Sequence, residues 1–286
     1  MIDLCLTTVR EDKTLRLMEA LKQGIPEETQ IVRDYPRGGS HPFIIWGHLH
    51  NALDVIPHAE EQGRPYWFID NGFWNSAKGG PTGYYRLTYR GLVPQQLKVS
   101  ENRLPWQQQD WRKDGRHILI ALPGEHYGAA HGLDMVDWGS SIRAKVERYT
   151  DRPIKVRSKN NPVPIWQDLK NCWAVVTHSS NAAVDAVVQG IPVFVEPSSA
   201  AAPVGCTDLS QLENPSLPDM AAREAWWRSL MAQQYTISEM AQGVAWRYME
   251  MVRRAADGEH IRSNTGGHSI PDPVPYRRYS PDFSDL

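Results

Sequence analysis

Residues 173–205 read WAVVTHSSNAAVDAVVQGIPVFVEPSSAAAPVG. An apolar run, 173–176, stops at a polar knot of Thr177, His178, Ser179, Ser180 and Asn181. A small-residue helical pattern follows, then Gly190, then a second apolar run ending at Glu196 and Pro197. Strand, turn, helix, glycine and strand in this order form one βαβ unit of a parallel sheet. In open sheets of this kind ligands sit at the carboxyl ends of the strands, and the knot occupies such an end. Two readings stay open. Ser180 and Asn181 cap the helix, or the helix start holds an anion on its N–H groups and dipole. In the second reading His178, Ser179, Ser180 and Asn181 contact the phosphate or ribose of a ligand. Asp185, one turn further on, shares their face.

Upstream of this unit the pattern repeats. Residues 117–123, HILIALP, read as a strand ending at Pro123-Gly124-Glu125. Helical patterning at 139–150, a strand at 153–158 and a short helix at 165–172 follow. Lys155, Arg157 and Lys159 alternate along PIKVRSK and share one face. That row suits a phosphate; the alternative is a solvated strand. Gly124, Glu125 and Glu196 join the candidate ligand set because they follow strands of the same unit.

The first part of the chain alternates too. Strands are expected at 2–9, 43–46 and 65–70, with helices at 12–23 and 49–62, the latter interrupted by Pro57. Residues 74–115 show no clean period, and 95–115 read as a connection. A helical segment at 219–255 breaks near Gln234 and Tyr235. The expected fold class is α/β, two Rossmann-like domains facing across a cleft. Residues 1–100 form the acceptor-side domain, 116–218 the donor domain and 219–256 closing helices. A Pro-, Gly- and Ser-rich stretch at 257–286 reads as a flexible tail.

Composition narrows the function. Formal net charge is −2 over 286 residues, so no global basic field favours nucleic acid or anionic membrane. Cys5, Cys172 and Cys206 are odd in number and lack metal-ligand spacing, which argues against a disulfide framework or a zinc site. The N-terminal stretch lacks the layout of a secretory signal. No run approaches the ~20 apolar residues that span a bilayer. The expectation is a reducing, cytoplasmic protein. His48 and His50, two residues apart, diverge on a helix, while His126 and His131 flank a Gly-Ala turn.

With these residues in view a resemblance emerges. THSSNAAVDAVVQGIPVFV, 177–195, resembles the donor-domain signature of GT-B glycosyltransferases, a polar turn, a helix and G-x-P-V. It is most similar to capsular polysaccharide transferases of the Kdo-transferring type. IIWGHLHNALDVIPHAEEQGRPYWFIDNGFWNSAKGG, 44–80, resembles that family's W-G segment and its E-D-G-F motif, in the same order. Two departures stand out. E-D-G-F reads Asp70-Asn71-Gly72-Phe73 here, and VRSKNNP carries Asn161 where the family has a histidine. The resemblance implies sugar transfer from a nucleotide-activated donor.

Such chemistry needs a site for the departing phosphate and a carboxylate at the reacting hydroxyl. Asp70, at a strand end beside Gly72, is the candidate carboxylate; an Asx turn is the alternative for Asp-Asn-Gly. No paired-carboxylate motif lies beside the phosphate candidates, so the expected set holds no metal and no cofactor beyond the nucleotide-sugar co-substrate. The acceptor would be a glycan, in polysaccharide biosynthesis, or a hydroxymethylated DNA base, in DNA modification. The second is suggested by rings and arginines mixed in YYRLTYRGLVP, 84–94, with Trp106 and Trp111. A non-catalytic nucleotide- or nucleic-acid-binding module is the competing class.

Overall fold

The structure, a computed structural model, describes residues 1–6, 11–33, 39–47, 51–76, 83–100, 102–124, 127–128 and 132–256. Glu125, His48, His50, His126, His131 and residues 257–286 fall outside the described residues.

The first half is built from β1 (Ile2–Leu6), α1 (Glu11–Gly24), β2 (Thr29–Arg33), β3 (Phe43–Trp46), α2 (Asn51–Glu61), β4 (Tyr66–Asn71) and β5 (Tyr85–Tyr89). β3 and the body of β4 are buried along their length, as apolar runs in a sheet covered on both faces must be. β1 through β4 pair in parallel and β5 runs antiparallel to β4.

The second half carries β6 (His117–Ala121), α3 (Met135–Val146), β7 (Ile154–Arg157), α4 (Ile165–Asp168), β8 (Cys172–Thr177), α5 (Ala182–Val188) and β9 (Val193–Val195). Its four strands are parallel in the order β7-β6-β8-β9. α3 starts at Met135 rather than 139 because Asp134 caps it, accepting from the N–H groups of Val136 and Asp137.

The C-terminal segment serves both halves. α6 (Met220–Met231) buries Trp226, Trp227, Leu230 and Met231 against the second sheet. The chain then crosses back. Gln234 and Tyr235 form β10, which extends the first sheet beside β5 and gives the order β10-β5-β4-β3-β1-β2. α7 (Ile237–Ala241) and α8 (Val244–Ala256) complete the first core with Met240, Trp246 and Met249. α7 lies so close to α1 that a Cβ at Gly24 would sit 1.9 Å from the Met240 carbonyl oxygen. Segment 219–256 is therefore divided between the halves, its helices breaking at Gln234 and Tyr235.

The described residues of 92–116 carry no helix or strand, yet they are pinned. Leu97 N–H donates to Ser229 Oγ at 2.8 Å, and Trp111 Nε1 to the Pro218 carbonyl at 2.7 Å. Trp227 Nε1 donates to the Leu104 carbonyl at 2.6 Å.

Candidate functional site

In both sheets the second strand flanks the first on one side and the third flanks it on the other: β2-β1-β3 and β7-β6-β8. Strand order reverses there, and such a switch point opens a crevice at the carboxyl ends. In the second half the two ends are tied together. Thr177 Oγ1 donates to the Ala121 carbonyl at 2.5 Å and accepts from the Ser180 N–H at 3.4 Å.

The sequence candidates gather around this point to different degrees. Gly124 follows β6 and Lys159 follows β7; a Cβ on Gly124 would lie 3.0 Å from Lys159 Cδ and 3.5 Å from its Nζ. Lys159 is thus laid over the backbone at the strand end. His178 is buried, its Nδ1 3.4 Å from the Tyr127 hydroxyl and its ring against Tyr127 and Trp138. Its carbonyl accepts from the Glu196 N–H at 3.1 Å, which brings the ends of β8 and β9 together. Ser179, Ser180, Asn181, Asp185 and Glu196 are half-buried.

One candidate has other partners. Arg157 makes an ion pair with Asp168 and donates to the Val163 carbonyl at 2.6 Å, so its guanidinium faces α4. Lys155 is exposed on edge strand β7, and Lys159 lies beyond that strand. The expected row of three cations is therefore dispersed. At the helix start the capping reading holds for Ser180 and not for the Asn181 side chain. Asn181 sits at the N-cap without a side-chain cap bond, while Ser180 occupies the first N–H groups: its Oγ accepts from Ala182 at 3.3 Å and its carbonyl from Ala183 at 3.0 Å.

The Asn181 side chain instead reaches the other half. Its Nδ2 donates to the Gly72 carbonyl at 3.1 Å. Gly72 is pressed against β5: its N–H donates to the Tyr84 carbonyl at 2.9 Å, and a Cβ would approach that oxygen to 2.7 Å. Two residues upstream stands Asp70. Its Oδ1 accepts from the Asn71 backbone at 2.6 Å and the Asn71 amide at 3.3 Å; its Oδ2 accepts from Arg86 Nη2 at 2.8 Å. Arg86 lies directly opposite Asp70 in the antiparallel register. Asn71 Oδ1 accepts from Lys13 Nζ at 2.9 Å, and that ammonium lies over the rings of Trp46 and Tyr85. The carboxylate thus ends a chain of donors at the carboxyl end of β4, two residues before the glycine carbonyl that Asn181 of the other half holds.

No protein-family profile matches this chain, and no curated protein matches it. Solved structures do. KpsC of Thermosulfurimonas dismutans, a β-Kdo 2,7-transferase, superimposes with a TM-score of 0.50 at 10% identity, covering 86% of this chain and 99% of that one. A β-Kdo 2,4-transferase KpsC structure from the same organism gives 0.49 at 12% identity, covering 80% and 89%. The fold is α/β with Rossmann-like halves of the GT-B type.

Residues that sequence reasoning passed over include Arg86, Lys13 and Ser198. In YRLTY, Tyr85, Leu87 and Tyr89 alternate into one core, which turns Arg86 to the opposite face; that period was a usable signal. Ser198, three residues past β9, has a buried hydroxyl without a partner among the described residues. No group of three or more His, Cys, Asp or Glu side chains suited to a metal occurs among the described residues. None of their helices is long and apolar enough to cross a membrane.

Proposed function

We propose that this protein is a glycosyltransferase that moves a sugar from a nucleotide-activated donor to a hydroxyl of a glycan acceptor. One observation supports the reading: the Asn181 bond to the carbonyl of Gly72, two residues along the chain from Asp70. The donor would lie over the second switch point. Its phosphates meet Lys159 above Gly124, its ribose side meets Ser179, His178 and Glu196, and protein cations rather than a resident metal face the leaving charge. Asp70 would face the sugar. The acceptor oxygen forms its bond to the anomeric carbon, the bond to the phosphate oxygen breaks, and the nucleotide leaves with that electron pair. The hydroxyl proton passes to Asp70. Arg86 and the Asn71 backbone fix the orientation of that carboxylate.

A glycan is favoured over a DNA acceptor because the aromatic–arginine segment is folded inward. Tyr85 and Tyr89 are core residues. Arg86 holds Asp70, Arg90 donates to the Gly63 carbonyl, and Arg103 binds the carbonyls of Met231 and Gln234. Few cations in it are left to follow a phosphate backbone.

Nucleotide release from a donor plus glycan acceptor, followed in chelator, tests the reading. Wild-type protein should turn over in chelator, and Asp70→Asn should lose roughly 10²–10⁴-fold in kcat with donor affinity unchanged. Full turnover in Asp70→Asn would remove the carboxylate from the reaction. Turnover restored only by added magnesium or manganese would place a metal at the phosphates.

A further inference from the structure

A cavity of about 520 Å³ lies away from both switch points, between α5, α6 and the pinned connection. Trp74, Trp106, Gln107, Gln109, Gln189 and Arg112 line it, with Trp227 behind them. Pockets that enclose small ligands fall in the range of roughly 300–1,000 Å³. We infer that this cavity is a binding subsite for a neutral saccharide, the remote part of a glycan acceptor. The inference rests on the transferase reading for the word acceptor, though not for the word saccharide.

The walls are fixed before any ligand arrives. Trp106 Nε1 donates to the Val188 carbonyl at 3.2 Å and Trp227 Nε1 to the Leu104 carbonyl at 2.6 Å. The Trp227 ring meets Trp74 edge-on at 5.3 Å and Trp106 at 5.1 Å, so each indole braces another. Trp227 is buried behind the other two and braces them, while the half-buried Trp74 and Trp106 offer apolar surface. A pyranose presents a matching face of C–H groups and a rim of hydroxyls.

The rim has partners as well. Among the described residues the side-chain amides of Gln107, Gln109 and Gln189 make no hydrogen bond. An amide both donates and accepts, which suits neighbouring hydroxyls. The charge pattern favours a neutral occupant, with Arg112 the one cation among the lining residues. No carboxylate or lysine lines the cavity, and the Arg112 guanidinium donates to the Leu169 and Cys172 carbonyls at 2.9 and 3.3 Å. Nucleic acid would need cations that this wall lacks.

Position links the cavity to the reaction. Trp74 follows Asp70 by four residues, so the two Cα atoms are at most about 14 Å apart even along an extended chain. A glycan seated on Trp74 would therefore bring its terminal rings within reach of the carboxylate.

Intrinsic tryptophan fluorescence tests this, with cellotetraose, maltotetraose and chitotetraose each titrated to millimolar concentration into the protein. At least one should shift the emission saturably. The double substitution Gln107→Ala/Gln109→Ala, both exposed in the fold, should weaken that binding at least tenfold while leaving thermal stabilisation by nucleotide sugars unchanged. Absence of binding by all three, equal binding by the variant, or a shift produced by a single-stranded oligonucleotide instead would overturn the inference. Failure of nucleotide sugars to stabilise wild-type protein would strike the transferase reading alone.

Discussion

Asn181 and Gly72, 109 residues apart in the chain, are joined by a 3.1 Å hydrogen bond from the side-chain amide of one to the backbone carbonyl of the other. The bond connects the start of α5 in the second half to the end of β4 in the first. Its geometric consequence exceeds its energy. A hydrogen bond of this kind contributes about 1 kcal/mol net, yet it ties the polar knot to the backbone two residues past Asp70.

Asn181→Ala should therefore cost about 1 kcal/mol of stability in urea unfolding. Its larger effect should fall on kcat, because the two halves of the site lose their mutual register. A variant that loses stability while keeping kcat would reduce Asn181 to a structural strut.

Lys159 and Arg157 should separate cleanly. Arg157 is held by Asp168 and the Val163 carbonyl, so Arg157→Glu sets two carboxylates together and should destabilise by about 2 kcal/mol. Lys159 is exposed over Gly124, so Lys159→Glu should change stability by no more than about 0.5 kcal/mol. Donor affinity should fall at least tenfold in Lys159→Glu. Calorimetric titration of both variants reads the two effects; unchanged donor affinity in Lys159→Glu would take that cation out of the site.

His117 gives the fold an acid-side dependence. Burial is the main cause that lowers its pKa from the usual 6.5; the hydrogen bond to the Asp168 carbonyl opposes this, and Lys155 adds to the lowering. The folded ring stays neutral where the unfolded one takes a proton, so the unfolded state binds more protons. Stability should be fully present above pH 6.5 and fall as the pH drops below that value towards the folded pKa. His117→Gln should flatten this slope in thermal unfolding between neutral and mildly acidic pH. An identical slope in the variant would assign it to other groups.

Much of the architecture was legible because buried parallel strands write themselves as continuous apolar runs. FIIW at 43–46 and HILIA at 117–121 are such runs. β2 escaped notice because it is an edge strand of half-buried and exposed positions, TQIVR, without a period. β5 was missed for a different reason. Its alternation of Tyr85, Leu87 and Tyr89 was present, but it sat in a stretch whose glycines and prolines dominated the reading. The candidate site could be read as residue types rather than as pairings. The alternation of Lys155, Arg157 and Lys159 was visible, whereas the claim of Asp168 on Arg157 depended on where α4 packs. Asp70 was visible as a strand-end carboxylate, but Arg86 opposite it follows from antiparallel register, which local sequence does not specify.

The central claim is that the second switch point binds a nucleotide sugar. The most direct measurement is thermal unfolding of wild-type protein against a panel of CMP-, UDP-, GDP- and dTDP-linked sugars. One member should stabilise the protein saturably, by about 2.7 kcal/mol at 100 times its Kd. No stabilisation by any member at millimolar concentration would contradict the account.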